Sequence, residues 1–167
     1  GEWEHILPAA AFGSSRACWR DKPAACLTSG GRQRSNRECC QRIDPIFRAM
    51  EADLHNLTPA VGELNGDRSS HPFGEIPGEA RRYGACDFEK QGDLVEPARD
   101  VRGDIARVHF YMDWNYGDAY DLPPKYLALL HSWHKLDPVD RAEWERNARI
   151  EAMQGNSNPF VDGRLAP

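Results

Sequence analysis

Gly1-Glu2-Trp3-Glu4-His5 opens the chain, and Asp53-Leu54-His55-Asn56-Leu57 and Glu63-Leu64-Asn65-Gly66-Asp67-Arg68-Ser69 lie downstream of it. Together these stretches set a carboxylate beside a histidine and supply asparagines at a distance. That combination can build a one-metal hydrolytic centre. Imidazole is a base near neutral pH. The Glu4 carboxylate and the Asn65 side-chain carbonyl are hard oxygen ligands that suit Mg²⁺, with Mn²⁺ or Ca²⁺ as alternatives. Two protein ligands would leave about four positions for water and phosphate oxygens around Mg²⁺. In an extended segment Glu4 and His5 point to opposite sides, so both serve one site only if the strand bends or ends there. Arg32 follows Gly30-Gly31 and can bring a planar guanidinium fork close to a phosphate.

The chain has 167 residues, of which 40% are hydrophobic and 28% charged. This is the composition and size of one globular domain. No apolar run is long enough to span a bilayer, so no membrane partner is expected. There is no basic-then-apolar leader, and the expectation is that a signal peptide was removed or never present. The formal net charge of −5 argues against a strongly basic nucleic-acid-binding protein. The field inside a cleft is local, however, and Arg32, Arg34, Arg37 and Arg42 fall in one stretch. Of the five cysteines, Cys18, Cys26, Cys39 and Cys40 crowd together and Cys86 stands apart. Adjacent Cys39-Cys40 with no CxxC pair is poor zinc spacing. Disulfides in an exported protein fit better, with Cys18 joined to Cys39 or Cys40.

Residues 1–12 read as a brief strand carrying Glu4 and His5, and 13–43 as a long loop. Asp44-Pro45 is a helix start, with Asp as N-cap and Pro in the first turn. Phe47, Met50, Leu54 and Leu57 follow at helical spacing up to Pro59, which places Glu51 and His55 on one face. Residues 60–100 show little regular pattern, with Asn65 in a glycine-flanked turn. Helices are expected over Arg102–Tyr116, over Pro124–Leu136, and from Asp137-Pro138 to about Gly155. The sum is a helix-rich α+β chain with small strands confined to its N-terminal half.

Eight stretches carry a resemblance. They are Glu2 to His5, Cys18-Trp19, Gly30 to Arg32, Met50 to Leu57, Gly62 to Ser69, Tyr83 to Cys86, Arg102 to Met112, and Gln154 to Asp162. In this order they resemble the bacterial endonuclease I family of periplasmic or secreted nonspecific nucleases. The resemblance implies a ββα-metal (His-Me finger) core with additional helices, in one domain over residues 1–167. It implies cleavage of DNA and RNA that leaves 5′-phosphate and 3′-hydroxyl ends. His5 then matches the general base, Glu4 and Asn65 the metal ligands, and Arg32 the arginine that steadies the scissile phosphate. Glu51 resembles a catalytic-site group that orients His5 or a water. Asn56 is expected either to fix the loop holding the site or to join Arg32 and Arg68 in contacting nucleic acid. Family members carry a segment before the Glu-Trp-Glu-His motif, and that segment is expected to be absent here.

Each residue also has a plainer reading. Arg68 can instead pair with Asp67 or Glu63, and His55 can be structural. Trp3, Trp19, Trp114, Trp133 and Trp144 are expected in the core rather than as base-stacking platforms. At the level of the whole chain there are two alternatives to a free-standing monomeric nuclease. One is a nuclease toxin or effector domain of a larger secreted protein, with a cognate inhibitor protein. The other is a catalytically inactive, nucleic-acid-binding version of the fold.

Overall fold

A computed structural model describes residues 1–78 and 80–167. In chain order the elements are β1 (Glu2–His5), α1 (Ala9–Gly13), α2 (Ala17–Arg20), α3 (Asn36–Ile43), α4 (Pro45–Ala52), β2 (Leu57–Ala60) and α5 (Gly62–Arg68). There follow β3 (Phe88–Gln91), β4 (Leu94–Pro97), α6 (Arg102–Tyr116), α7 (Pro124–Leu136) and α8 (Arg141–Gln154). The strands form two separate antiparallel pairs, β1–β2 and β3–β4. The architecture is therefore α+β and helix-rich, as the sequence pattern implies.

The β1–β2 register sets Glu2 opposite Ala60, Trp3 opposite Pro59, Glu4 opposite Thr58 and His5 opposite Leu57. Each strand of a two-stranded sheet keeps an open edge, so Pro59 is tolerated although it lacks an N–H. The helix expected from Asp44 to Pro59 starts as read. The Asp44 side chain accepts from Phe47 N at 3.0 Å. The helix nevertheless stops at Ala52. Asp53 is extended and its carboxylate accepts from His55 N at 2.9 Å, capping a separate 3₁₀ turn at Leu54–Asn56. That break frees Leu57–Ala60 to pair with β1.

Four further expectations are corrected. The loop of residues 13–43 contains α2 and the whole of α3, and α3 opens on a reciprocal capping box between Ser35 and Glu38. Asn65 lies in helix α5 rather than in a turn. The β3–β4 hairpin lies beyond the N-terminal half, joined through Gly92 at φ 58°. The last helix begins at Arg141, where the Asp140 carboxylate accepts from Glu143 N at 2.8 Å. Asp137 instead accepts from Gly103 N at 2.8 Å. There the α6 and α7 ends approach so closely that a Cβ on residue 103 would lie 1.9 Å from the Asp137 carbonyl. The end near Gly155 is as expected, with that residue left-handed at φ 91°.

Phe12, Phe47, Met50, Tyr111, Met112, Leu130 and Trp133 are fully buried. Trp3, Trp114 and Trp144 are 68%, 52% and 56% exposed, so the core placement expected of them is corrected. Trp133 alone of the five tryptophans is fully buried, and Trp19 packs partly buried against the core. Buried Arg107 ties α6 to α8 by a two-pronged bond to Glu143, Nε to Oε1 and Nη2 to Oε2, each 2.6 Å. Disulfides Cys18–Cys40 and Cys26–Cys39 hold the N-terminal helices together.

His109 is buried in α6 and its Nδ1 donates to Ile105 O at 2.9 Å. Burial pushes its pKa down to about 4 from the ordinary 6.5. Below the ordinary value the unfolded chain takes up a proton that the native state refuses. Stability contributed by neutral His109 is therefore present above about pH 6.5 and lost toward pH 4, by up to about 3 kcal/mol. His109→Gln is expected to flatten the fall of Tm between those pH values. An unchanged slope would assign the acid sensitivity to other groups.

Candidate active site

His5 is the last residue of β1 and is half-buried. Its Nε2 lies 2.8 Å from the Glu51 main-chain oxygen. A carbonyl can only accept, so Nε2 carries the proton and neutral His5 has an unprotonated Nδ1. Burial lowers the His5 pKa, the Glu51 carbonyl partly restores it, and Arg37 lowers it further. The ring is thus held in its neutral, basic form. Glu51 reaches His5 through the main chain rather than through its carboxylate. The carboxylate is gripped from α3, by Arg37 Nε at 2.5 Å and by Gln41 Nε2 at 2.9 Å to each oxygen.

The other face of β1 meets α5. Glu2 and Glu4, two apart on a strand, share a side. Asn65 Nδ2 donates to Glu2 Oε2 at 3.1 Å, and Arg68, one helical turn further on, donates from Nη1 to Glu4 Oε1 at 3.1 Å. The structure therefore brings Glu4 and Asn65 to one β1–α5 junction. Glu4 also lines a cavity of about 370 Å³ whose walls include Ile6, Leu64, Phe73, Ile105 and Val108. That setting explains why burial raises the Glu4 pKa against the pull of Arg68. Burial likewise lowers the Arg68 pKa against the pull of Glu4. Desolvation outweighs the mutual attraction for both partners, as expected of a buried pair.

The oxygens of Glu4 and Asn65 are of the kind that a hard divalent cation takes. Asn65 Nδ2 is engaged by Glu2 and Glu4 Oε1 by Arg68, so Asn65 Oδ1 and Glu4 Oε2 are the oxygens that could serve as ligands. One carboxylate and one amide oxygen suit an ion that retains most of its water. Among the described residues no group of three or more His, Cys, Asp or Glu side chains is placed to hold a metal. Any site here is consequently a sparse one.

Arg32 sits in the turn closed by Thr28 N to Arg32 O at 2.9 Å. Its side chain is 64% exposed and its Nη2 lies 3.8 Å from Glu38 Oε1. Such a pair holds the guanidinium weakly, so it stays available to an anion. Two residues expected to contact nucleic acid are placed elsewhere. Arg68 is 2% exposed, with its ion pair formed to Glu4 rather than to Asp67 or Glu63. Asn56 is fully buried. Its Oδ1 accepts from Leu7 N at 2.7 Å and its Nδ2 donates to Leu7 O at 2.9 Å. It fixes the chain leaving β1, the other role expected of it. His55 is buried and donates from Nε2 to Asn156 O at 3.0 Å, as a structural histidine does. The Arg37–Gln41 grip on Glu51 escaped sequence reading. Its signal was the capping box Ser35-x-x-Glu38, which would have placed both residues one turn apart on a helix.

The family model for Endonuclease I matches residues 1–164. The chain is 41% identical to an extracellular deoxyribonuclease of Aeromonas hydrophila over 165 residues, 96% of this chain and 64% of that protein. It is 38% identical to Endonuclease-1 of Buchnera aphidicola over 164 residues, 96% of this chain and 58% of the relative. An extracellular ribonuclease of Bacillus amyloliquefaciens matches 66% of this chain and 43% of its own length at 36% identity. The chain belongs to the endonuclease I family. It spans less than two thirds of the length of these relatives.

Removing Asn56 would leave two buried main-chain groups of Leu7 without partners. Asn56→Ala is expected to destabilise the fold by roughly 2–4 kcal/mol in a urea titration. A loss under about 0.5 kcal/mol would show that the strand exit holds without it.

Proposed function

We propose that this chain is a divalent-metal-dependent, nonspecific endonuclease of the ββα-metal (His-Me finger) type, hydrolysing phosphodiester bonds of DNA and RNA outside the cytoplasm. Residues 1–167 would act as one endonuclease I-like domain. The observation that carries the reading is the His5 Nε2 bond to the Glu51 carbonyl, which leaves Nδ1 as the basic atom of the residue that follows Glu4 in β1. The order β1, β2, α5 agrees with a ββα core, with the base on the first strand and Asn65 on the helix. Deoxyribonuclease and ribonuclease names among the relatives support both substrates. Two disulfides favour an oxidising compartment. Among the described residues no helix is long and apolar enough to cross a membrane.

In this mechanism His5 Nδ1 takes a proton from the water that attacks phosphorus. The P–O3′ bond breaks, leaving a 5′-phosphate, and the departing oxygen takes a proton from solvent to become the 3′-hydroxyl. Glu51 fixes the imidazole so that its basic nitrogen faces the water. Exposed Arg32 offers its fork to the phosphate and balances the charge that accumulates on it. Glu4 and Asn65 would hold Mg²⁺, which supplies Lewis-acid polarisation of the phosphate and charge for the leaving oxygen.

Supercoiled plasmid incubated with the purified chain and Mg²⁺ is expected to be nicked and degraded, and chelator should stop this. His5→Ala should lower the rate by about 10²–10⁴-fold, the usual weight of a general base. It should leave DNA binding nearly intact. Glu4→Ala and Asn65→Ala should raise the metal concentration needed for half-maximal cleavage. Near-normal cleavage by His5→Ala would overturn the base assignment.

A further inference from the structure

Arg68 is the most heavily engaged side chain at the candidate site, yet the mechanism above gives it no step. Its Nη1 donates to Glu4 Oε1 at 3.1 Å and to His5 O at 2.5 Å. Nη2 donates to Ile6 O at 2.6 Å, and Nε to His71 O at 3.1 Å. The guanidinium carbon also lies over the Phe73 ring, 4.3 Å from its centroid. One side chain thus binds the carboxylate of Glu4, the carbonyl of His5 and the carbonyl after it. It extends from the same helix as Asn65, three residues on.

We infer that Arg68 is a positioning residue for divalent-cation binding, locking α5 onto β1 so that the Glu4 carboxylate and the Asn65 amide oxygen are presented in fixed register. This rests on the proposed reading that Glu4 and Asn65 hold the cation. Neutralising a nearby acid is a poor reason to bury an arginine, since a cation beside Glu4 weakens the pull of that carboxylate on a second cation. The bonding pattern points to geometry instead. Holding Oε1 selects one carboxylate rotamer and leaves Oε2 as the ligand oxygen. Holding the His5 and Ile6 carbonyls fixes the strand end that carries the base. Lysine could keep the charge but not the fork, because a single ammonium cannot reach three separated acceptors along a plane.

The test is Mn²⁺ binding by calorimetry, with no nucleic acid present, for the wild-type chain, Arg68→Lys and Glu4→Gln. Circular dichroism at the same temperature establishes that each is folded. Arg68→Lys is expected to weaken Mn²⁺ binding by about 10–100-fold, the usual cost of losing a group that orients a metal ligand. The metal midpoint of plasmid cleavage should move by the same factor. A folded Arg68→Lys with wild-type Mn²⁺ affinity, while Glu4→Gln loses binding, would reduce Arg68 to a purely structural role. Mn²⁺ binding untouched by Glu4→Gln would remove the cation site itself, and with it the role of Arg68. Should Arg68→Lys fail to fold, Phe73→Leu takes its place. It removes the ring under the guanidinium and keeps every hydrogen-bond acceptor. A smaller weakening of Mn²⁺ binding in the folded variant supports the inference, and unchanged affinity overturns it.

Discussion

A two-stranded sheet is marginally stable on its own, and the candidate site hangs on the end of one such strand. The three residues at that end are held instead by side chains from other elements. Arg68 binds the carbonyls of His5 and Ile6. The main-chain carbonyl of Asn56 accepts from Ile6 N at 2.9 Å, and the Asn56 side chain takes both main-chain groups of Leu7. Each bond contributes only about 1 kcal/mol net, but each group left bare would cost about 1–3 kcal/mol. The strand end is therefore fixed by the penalty for leaving it, and the His5 ring inherits that rigidity.

The same logic extends outward to the disulfides. Successive helical residues diverge by about 100° around the axis, so adjacent Cys39 and Cys40 reach two different partners. Cys40 takes Cys18 in α2, and Cys39 takes Cys26 in the turn beyond it. Both anchor α3. That helix presents Arg37 and Gln41 one turn apart, and these two hold the carboxylate of the residue whose carbonyl orients His5. The covalent staples thus stand two hydrogen-bonded steps from the imidazole.

Much of this was legible from residue pattern, and the failures share a cause. Helices α6 and α7, the start of α4 and the end of α8 carry caps, prolines or apolar stripes that act locally. The Glu4-His5 and Asn65 positions could be singled out because their chemistry is local too. Helix α3 was hidden by composition, since arginine, cysteine and glutamine give no apolar stripe and its packing comes from the disulfides. Strand β2 was absorbed into a helix because Leu54 and Leu57 continue the spacing of Phe47 and Met50. Only pairing with β1, a contact across more than fifty residues, decides against that. Arg68 and Asn56 look like surface polar residues in the sequence. Their partners are main-chain groups near residue 6, and no pattern of side chains records such acceptors.

The alternation of β1 separates two chemistries that the proposed reaction needs close together. Glu2 and Glu4 face α5, while His5 turns to Glu51 on α4 and feels Arg37 on α3. An uninterrupted strand would keep base and oxygen ligands on opposite sides of a sheet. Here the strand stops at His5, and the alternation stops with it. The acidic side can draw a cation, and the arginine-bearing side can draw a phosphate. The chain's net charge of −5 is then no obstacle to an anionic substrate, because charges beyond about 10 Å are screened at ordinary salt and the local arginines decide what approaches. In the proposed reaction, ending β1 after four residues is what would let a carboxylate and its neighbouring histidine work on the same bond.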